Sequence, residues 1–324
     1  MELNPKIKSI LNKINSKESR PLHLLSVQEA RGQVKNPYLT TPVNPRLSGN
    51  ERVTTKKING PFGEIPIRVY TPPDSGNFPI LIYFHGGGWV LGSLNGVDTI
   101  CRRITQKARV IVVSICYHLA PEYKFPDPVY EALFVTQWVY KHAKDIQGDS
   151  TLLAIGGDSA GANLAAAVTL KLKQAKSPKL CAQLLIYPIT DCRLQSETYK
   201  EYATGYLLTY DAMKWFCGHY LSSPEDINNP FASPLLSVDL SGLPPAYIVT
   251  AEFDPARSDG EQYANRLRIS GVPVILRRYE GMVHDFMSFA DPPWEIKEAI
   301  EAIEAIDDTA IGIRDLLYNG RIAK

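Results

Sequence analysis

The chain has 324 residues, enough for one large α/β domain with an elaborated lid or for two modest domains. Hydrophobic residues make up 44% and charged residues 21%, the proportions of an ordinary soluble globule. With 35 basic and 34 acidic residues the formal net charge is +1, which argues against nucleic acid or an anionic membrane as partner.

No apolar stretch reaches the length of a membrane span, and the first residues hold no uninterrupted signal core, so the expected location is the cytoplasm. The five cysteines, Cys101, Cys116, Cys181, Cys192 and Cys217, are odd in number and lack C-x-x-C spacing. They read as reduced thiols rather than a disulfide frame or a zinc site. None of the six histidines falls in a ligand spacing such as H-E-x-x-H, so neither a metal nor another cofactor is implied.

At the N-terminus, Lys6, Lys8, Lys13 and Lys17 are interleaved with Ile7, Ile10, Leu11 and Ile14 in a helical pattern. This reads as a helix with one solvated face rather than a membrane-binding arm. The Pro-rich stretch Asn36 to Pro45 reads as loop. Strands are expected at Arg52–Ile58 and Ile65–Tyr70, divided by the turn composition of Asn59-Gly60-Pro61-Phe62-Gly63.

From there the pattern alternates. Short β-branched runs occur at Ile80–Phe84, Val110–Ile115, Leu152–Ile155, Gln183–Tyr187, Ala246–Thr250 and Val274–Tyr279. Helical patterns lie at Asp98–Lys107, Val129–Lys144, Asn163–Lys173, Asp259–Ile269 and Trp294–Asp307. Continuous apolar strands alternating with helices predict a mostly parallel sheet with helices on both faces.

One interval breaks this rhythm. More than fifty residues separate Pro188 from Pro245, including a helical segment, Asp211 to Leu221, that carries Met213, Trp215, Phe216 and Tyr220. That is too long for a simple crossover. It reads as a cap over the C-terminal edge of the sheet, acting with the N-terminal helices; the alternative is an extra helix packed at the sheet's edge. The expected organisation is a helical cap segment over residues 1–50 and a catalytic domain over 51–324, with a cap insertion at about 190–235.

Gly157-Asp158-Ser159-Ala160-Gly161 reads G-x-S-x-G between the apolar run Leu152–Ile155 and the helix-forming run that starts at Asn163. A strand turning sharply into a helix needs glycines around the serine, because the turn is strained and neighbouring backbone comes close. It lifts the Ser159 hydroxyl to a helix N-terminus, where the dipole favours developing negative charge.

Such a hydroxyl needs a base, and the base an orienting acid, on loops that follow strand C-termini. Asp254 follows the run Tyr247–Thr250 and His284 follows the next strand, giving the chain order Ser159, Asp254, His284. Glu252 and Asp259 are the competing acids, and His118 the competing base, although a structural hydrogen-bonding role suits His118 better. Asp285 adjoins His284 too closely to orient its ring, His219 belongs to the cap helix, and His23 and His142 carry no signal.

The run His85-Gly86-Gly87-Gly88-Trp89 ends the strand Ile80–Phe84. Its glycines let the backbone approach a substrate oxygen, so Gly87 and Gly88, with Gly86 as fallback, join Ala160 as candidate oxyanion donors. His85 is assigned to fixing the loop. Trp89 is assigned either to a pocket wall or to the core.

With these residues in place, the chain resembles the hormone-sensitive-lipase-like family of α/β-hydrolase carboxylesterases. The resemblance rests on the 85–89 and 157–165 motifs, Tyr117 to Pro126, Tyr187-Pro188, Asp254-Pro255 with Asp259-Gly260, and Gly281 to Phe286. It implies the α/β-hydrolase fold with a helical cap, Ser159, Asp254 and His284 as the triad, and oxyanion donors in the glycine run and at Ala160. It also implies short to medium acyl esters of small molecules as substrates. Two departures, His118 in place of the family's usual Arg and Ala162 in place of its Gly, touch no catalytic atom. An amide or formamide hydrolase on the same triad stays open, as does a non-catalytic ligand-binding relative, although the latter has no need of His284. A homodimer is left open as the assembly.

Overall fold

The computed structural model of the protein describes residues 2–16, 20–34, 49–291 and 299–319. Eight strands form one sheet: β1 (Arg52–Gly60), β2 (Gly63–Thr71), β3 (Phe78–Phe84), β4 (Ile111–Ile115), β5 (Gly148–Asp158), β6 (Ala182–Ile186), β7 (Ala246–Phe253) and β8 (Val274–Val283). Their order is β1-β2-β4-β3-β5-β6-β7-β8. The β1–β2 hairpin and the β2–β4 pair are antiparallel, and every pair from β4 to β8 is parallel.

Parallel strands buried on both faces send alternate residues to opposite cores. In β3, Ile80, Ile82 and Phe84 join one core while Leu81 and Tyr83 join the other. The first core is closed by α4 (Asp127–Lys141), α5 (Ala160–Ala175) and α8 (Arg257–Ile269), through residues such as Val135, Leu164 and Leu267. The second is closed by α1 (Pro5–Asn15), α3 (Asp98–Ala108) and α9 (Ile300–Asn319), through Ile10, Ile104 and Ile313. This is the expected α/β-hydrolase architecture.

Several boundaries differ from the sequence reading. Strands β5 and β8 run past their apolar stretches, β5 to Asp158 and β8 to Val283. Both extensions contain Gly and charged residues, which the apolar-run criterion rejects; the β5 extension still pairs with β6, and in β8 pairing resumes at Val283 past an irregularity. Helix α9 continues to Asn319 rather than stopping at Asp307, because buried Ala310, Ile313 and Leu317 prolong the helical spacing. The expected start of that helix at Trp294, the loop Asn36 to Pro45, and Lys17 lie outside the described residues.

Helix α1 begins where sequence chemistry dictates. Pro5 opens its first turn and the Asn4 side chain accepts from the Lys6 N–H at 2.9 Å. The helix is tied to β8 by an Asn4 N–H bond to the Gly281 carbonyl, 3.1 Å, and to α9 by a Lys6–Glu301 pair, 2.9 Å.

The long interval after β6 holds α6 (Glu197–Glu201) and α7 (Tyr210–Tyr220), the latter capped by Thr209, which accepts from the Ala212 N–H. Helix α7 meets the N-terminal part of the chain, where the Trp215 indole donates to the Leu25 carbonyl at 3.1 Å. Farther on, the interval returns to the body: Asn163 of α5 donates to the carbonyls of Ile189 and Ala232, each at 2.8 Å.

Candidate active site

Ser159 sits between β5 and α5 with φ 53° and ψ −117°, a conformation L-residues rarely hold. It is pinned from both sides, its N–H donating to the Ile186 carbonyl at 2.8 Å and its carbonyl accepting from Asn163 at 3.1 Å. A side chain on Gly157 or Gly161 would collide with the Phe84 carbonyl. That close approach explains the glycines on either side of the serine.

The sequence-derived acid, base and serine come together. His284 Nε2 lies 2.9 Å from Ser159 Oγ, and His284 Nδ1 lies 2.8 Å from Asp254 Oδ2. Asp254 is fully buried, and its other oxygen accepts from the Ala256 N–H at 2.7 Å, which fixes the carboxylate plane. His284 is 4% exposed and packs against the Tyr187 ring at 4.9 Å.

Burial alone would lower the His284 pKa. The charge and hydrogen bond of Asp254, reinforced by Asp285 and Asp158, outweigh it and hold the imidazole above the ordinary histidine value.

The competing groups have other partners. Glu252 accepts from the Gly281 N–H at 2.7 Å, bracing the turn before His284. Asp259 is buried beside Tyr199, and burial pushes its carboxyl well up. His118 pairs with Glu131 at 2.6 Å, the structural role expected of it. His219 packs edge-on against Trp215 on α7. Asp285 meets the Tyr187 hydroxyl at 3.4 Å and does not engage the His284 ring by hydrogen bond.

The glycine run after β3 turns beside the serine, with φ of 105° at Gly87 and 60° at Gly88. Gly86 N–H already donates to Asp158 Oδ2 at 3.0 Å. The N–H groups of Gly87, Gly88 and Ala160 have no hydrogen-bond partner among the described residues. His85 fixes the loop, as expected: its Nδ1 lies 2.7 Å from the Gly86 carbonyl and its ring stacks on Tyr117 at 4.4 Å.

A cavity of about 670 Å³ opens over Ser159 and His284. Leu207, Leu208, Met213 and Phe216 line it, together with Ile14 and Leu22 from the N-terminal part. Two aromatic residues of the same interval face elsewhere: Tyr206 stacks on Phe253 at 5.4 Å, and Trp215 turns to Leu25. Trp89 is a core residue rather than a pocket wall, fully buried and stacked on Tyr220 at 4.1 Å. The signal missed in the sequence was Asp158, which looked like a variable position of G-x-S-x-G. No cluster of three or more metal-ligating side chains occurs among the described residues.

Comparison with known proteins agrees with this geometry. A family profile described as alpha/beta hydrolase fold matches residues 81–288. Carboxylic ester hydrolase LipN of Mycobacterium tuberculosis is 42% identical over 242 residues, covering 73% of this chain and 64% of the relative, just under two thirds of its length. The arylesterase of Saccharolobus solfataricus is 37% identical over 89% of this chain and 93% of its own. Among solved structures, a thermostable esterase from Pseudomonas putida superposes with a TM-score of 0.90 at 33% identity, over 98% of each chain. With strand order, nucleophile turn and sequence in agreement, the chain belongs to the hormone-sensitive-lipase-like family of α/β-hydrolase carboxylesterases.

Proposed function

We propose that the protein hydrolyses short- to medium-chain carboxylic esters of small molecules through an acyl-enzyme on Ser159. The observation that carries this reading is the unbroken hydrogen-bond chain from Asp254 through His284 to Ser159. Relatives named as a carboxylic ester hydrolase and an arylesterase support the bond type.

In the proposed mechanism, Ser159 Oγ attacks the ester carbonyl carbon and its proton passes to His284 Nε2. Asp254 holds the proton on Nδ1 and stabilises the imidazolium that forms. The carbonyl oxygen becomes an oxyanion facing the N–H groups of Gly87, Gly88 and Ala160, the last at the positive end of α5. As the intermediate collapses, His284 returns the proton to the leaving alcohol. A water then attacks the acyl carbon, again giving its proton to His284, and releases the acid with Ser159 restored.

The residues over the site act as a cap in this reading. Helix α7 rests directly on the oxyanion loop, where a side chain on Gly88 would run into the Phe216 ring. The apolar wall favours acyl chains by roughly 0.8 kcal/mol per buried methylene until the cavity is full.

A fluorophosphonate probe should label Ser159, and Ser159→Ala should abolish labelling and lower kcat by about 10⁴- to 10⁶-fold. Labelling at another serine, or turnover by the alanine variant near the parent rate, would overturn the assignment.

The base must be neutral to accept a proton, so activity falls as pH drops through the His284 pKa. Because that pKa is raised, the acid limb of kcat/KM is expected above the ordinary value of about 6.5. A midpoint below it in a pH–rate titration would contradict the electrostatic account.

With p-nitrophenyl esters, kcat/KM should rise from acetyl to around butyryl or hexanoyl and then decline. Parallel anilides test the bond type: amide turnover exceeding ester turnover would reassign the enzyme. Peak activity on long-chain triglyceride emulsions would contradict a pocket of this size.

A further inference from the structure

The carboxylate of Asp158 occupies a place that the mechanism above does not use. It closes β5 immediately before Ser159 and is 4% exposed. Its Oδ2 accepts from the Gly86 N–H at 3.0 Å and its Oδ1 from the Tyr83 hydroxyl at 2.9 Å. Tyr83 lies on β3 and Gly86 on the loop that leaves β3, so one side chain of β5 grips the neighbouring strand and its loop together.

The approach is tight enough that a side chain on Gly86 would collide with Asp158 Oδ2. The geometry also divides the three glycines. All three line the cavity, but Gly86 has its N–H turned back to Asp158, whereas the N–H groups of Gly87 and Gly88 have no partner among the described residues.

Resting on the acyl-enzyme reading, we propose that Asp158 is a positioning residue whose carboxylate clamps Gly86 and thereby sets the Gly87 and Gly88 amides opposite the Ala160 amide. The hole has two halves on two different strand ends, and this side-chain bond joins them. Without the acceptor, the buried Gly86 N–H is left unsatisfied and the loop is free to turn toward another partner.

The charge has a second consequence. Burial, followed by the charge of Asp285, pushes the Asp158 carboxyl up to about 7, against the lowering influence of Tyr83, Gly86 and His284. Asp158 in turn helps to stabilise the His284 imidazolium. The other titratable groups facing it are Cys101 on α3, Tyr117 after β4 and Tyr187 after β6, all neutral near pH 7 because burial raises each well above its ordinary value.

The test compares Asp158→Ala and Asp158→Asn with the parent on p-nitrophenyl butyrate, with a trifluoromethyl ketone as transition-state analogue. For Asp158→Ala, kcat should fall about 10²-fold with KM within about threefold, and ketone affinity should fall by the same factor as kcat. Asn keeps an acceptor for Gly86 but carries no charge. Its kcat at high pH should stay within about tenfold of the parent, while its acid limb moves to lower pH because the imidazolium loses a negative neighbour.

A kcat for Asp158→Ala near the parent's, or a loss not matched in ketone affinity, overturns the clamp. If the alanine variant does not fold, Asp158→Asn decides alone: a kcat loss of about 10²-fold or more although the Gly86 acceptor is kept sinks the proposal. Fluorophosphonate labelling of the parent separates the two readings. Absence of label at Ser159 removes the acyl-enzyme reading and the clamp with it, whereas label at Ser159 with an insensitive Asp158 removes the clamp only.

Discussion

The close approach of two parallel strand ends governs everything above the sheet. Where β3 and β5 end, Gly157 of β5 and Gly161 in the first turn of α5 lie so near the Phe84 carbonyl that neither has room for a side chain. β3 therefore ends beside the turn that carries Ser159, and the glycine loop leaving β3 has only the space over that turn. The strained backbone of Ser159, at φ 53°, is held by hydrogen bonds to the next strand and into α5 rather than by any preference of its own. Relaxing that approach would separate the nucleophile turn from the loop that faces it.

Around this junction the protein concentrates negative charge at a buried histidine. Asp254, Asp158 and Asp285 all act on His284, and together they outweigh the desolvation that would otherwise keep the ring neutral. Only Asp254 bonds to the ring; Asp158 and Asp285 are engaged by Gly86, Tyr83 and Tyr187. A histidine tuned this way is stabilised as imidazolium while the proposed tetrahedral intermediate exists, at the cost of losing its free base form at a higher pH. Apolar residues of α7 and the N-terminal part line the cavity above it. The Phe216 ring of α7 presses on Gly88, which couples the shape of the cavity to the loop beneath it.

Strand existence was legible because each buried strand is a continuous apolar run, and the nucleophile turn because glycines must flank a residue so crowded. Strand ends were not. At Gly156-Gly157-Asp158 and at Glu280-Gly281-Met282-Val283 the composition turns polar or flexible just where the chain enters the site, while the ladder continues to Asp158 in β5 and resumes at Val283, past an irregularity, in β8. Helix α7 could be read from its apolar content, yet adjacent residues on a helix point about 100° apart. Phe216 consequently faces the cavity while Trp215 reaches back to Leu25. Trp89 carried no such pattern; it is buried in the core through tertiary contacts that include the stack on Tyr220. The pairing of Asp158 with Gly86 spans 72 residues and leaves no local trace in the sequence.

The central claim is that Ser159 and His284 act as one unit rather than as independent contributors. A double-mutant cycle on kcat tests this directly, using Ser159→Ala, His284→Ala and the two combined. The account predicts that each single change and the double change lose nearly the same factor, about 10⁴-fold or more, because removing either residue already disables the pair. Losses that multiply in the double variant would contradict it.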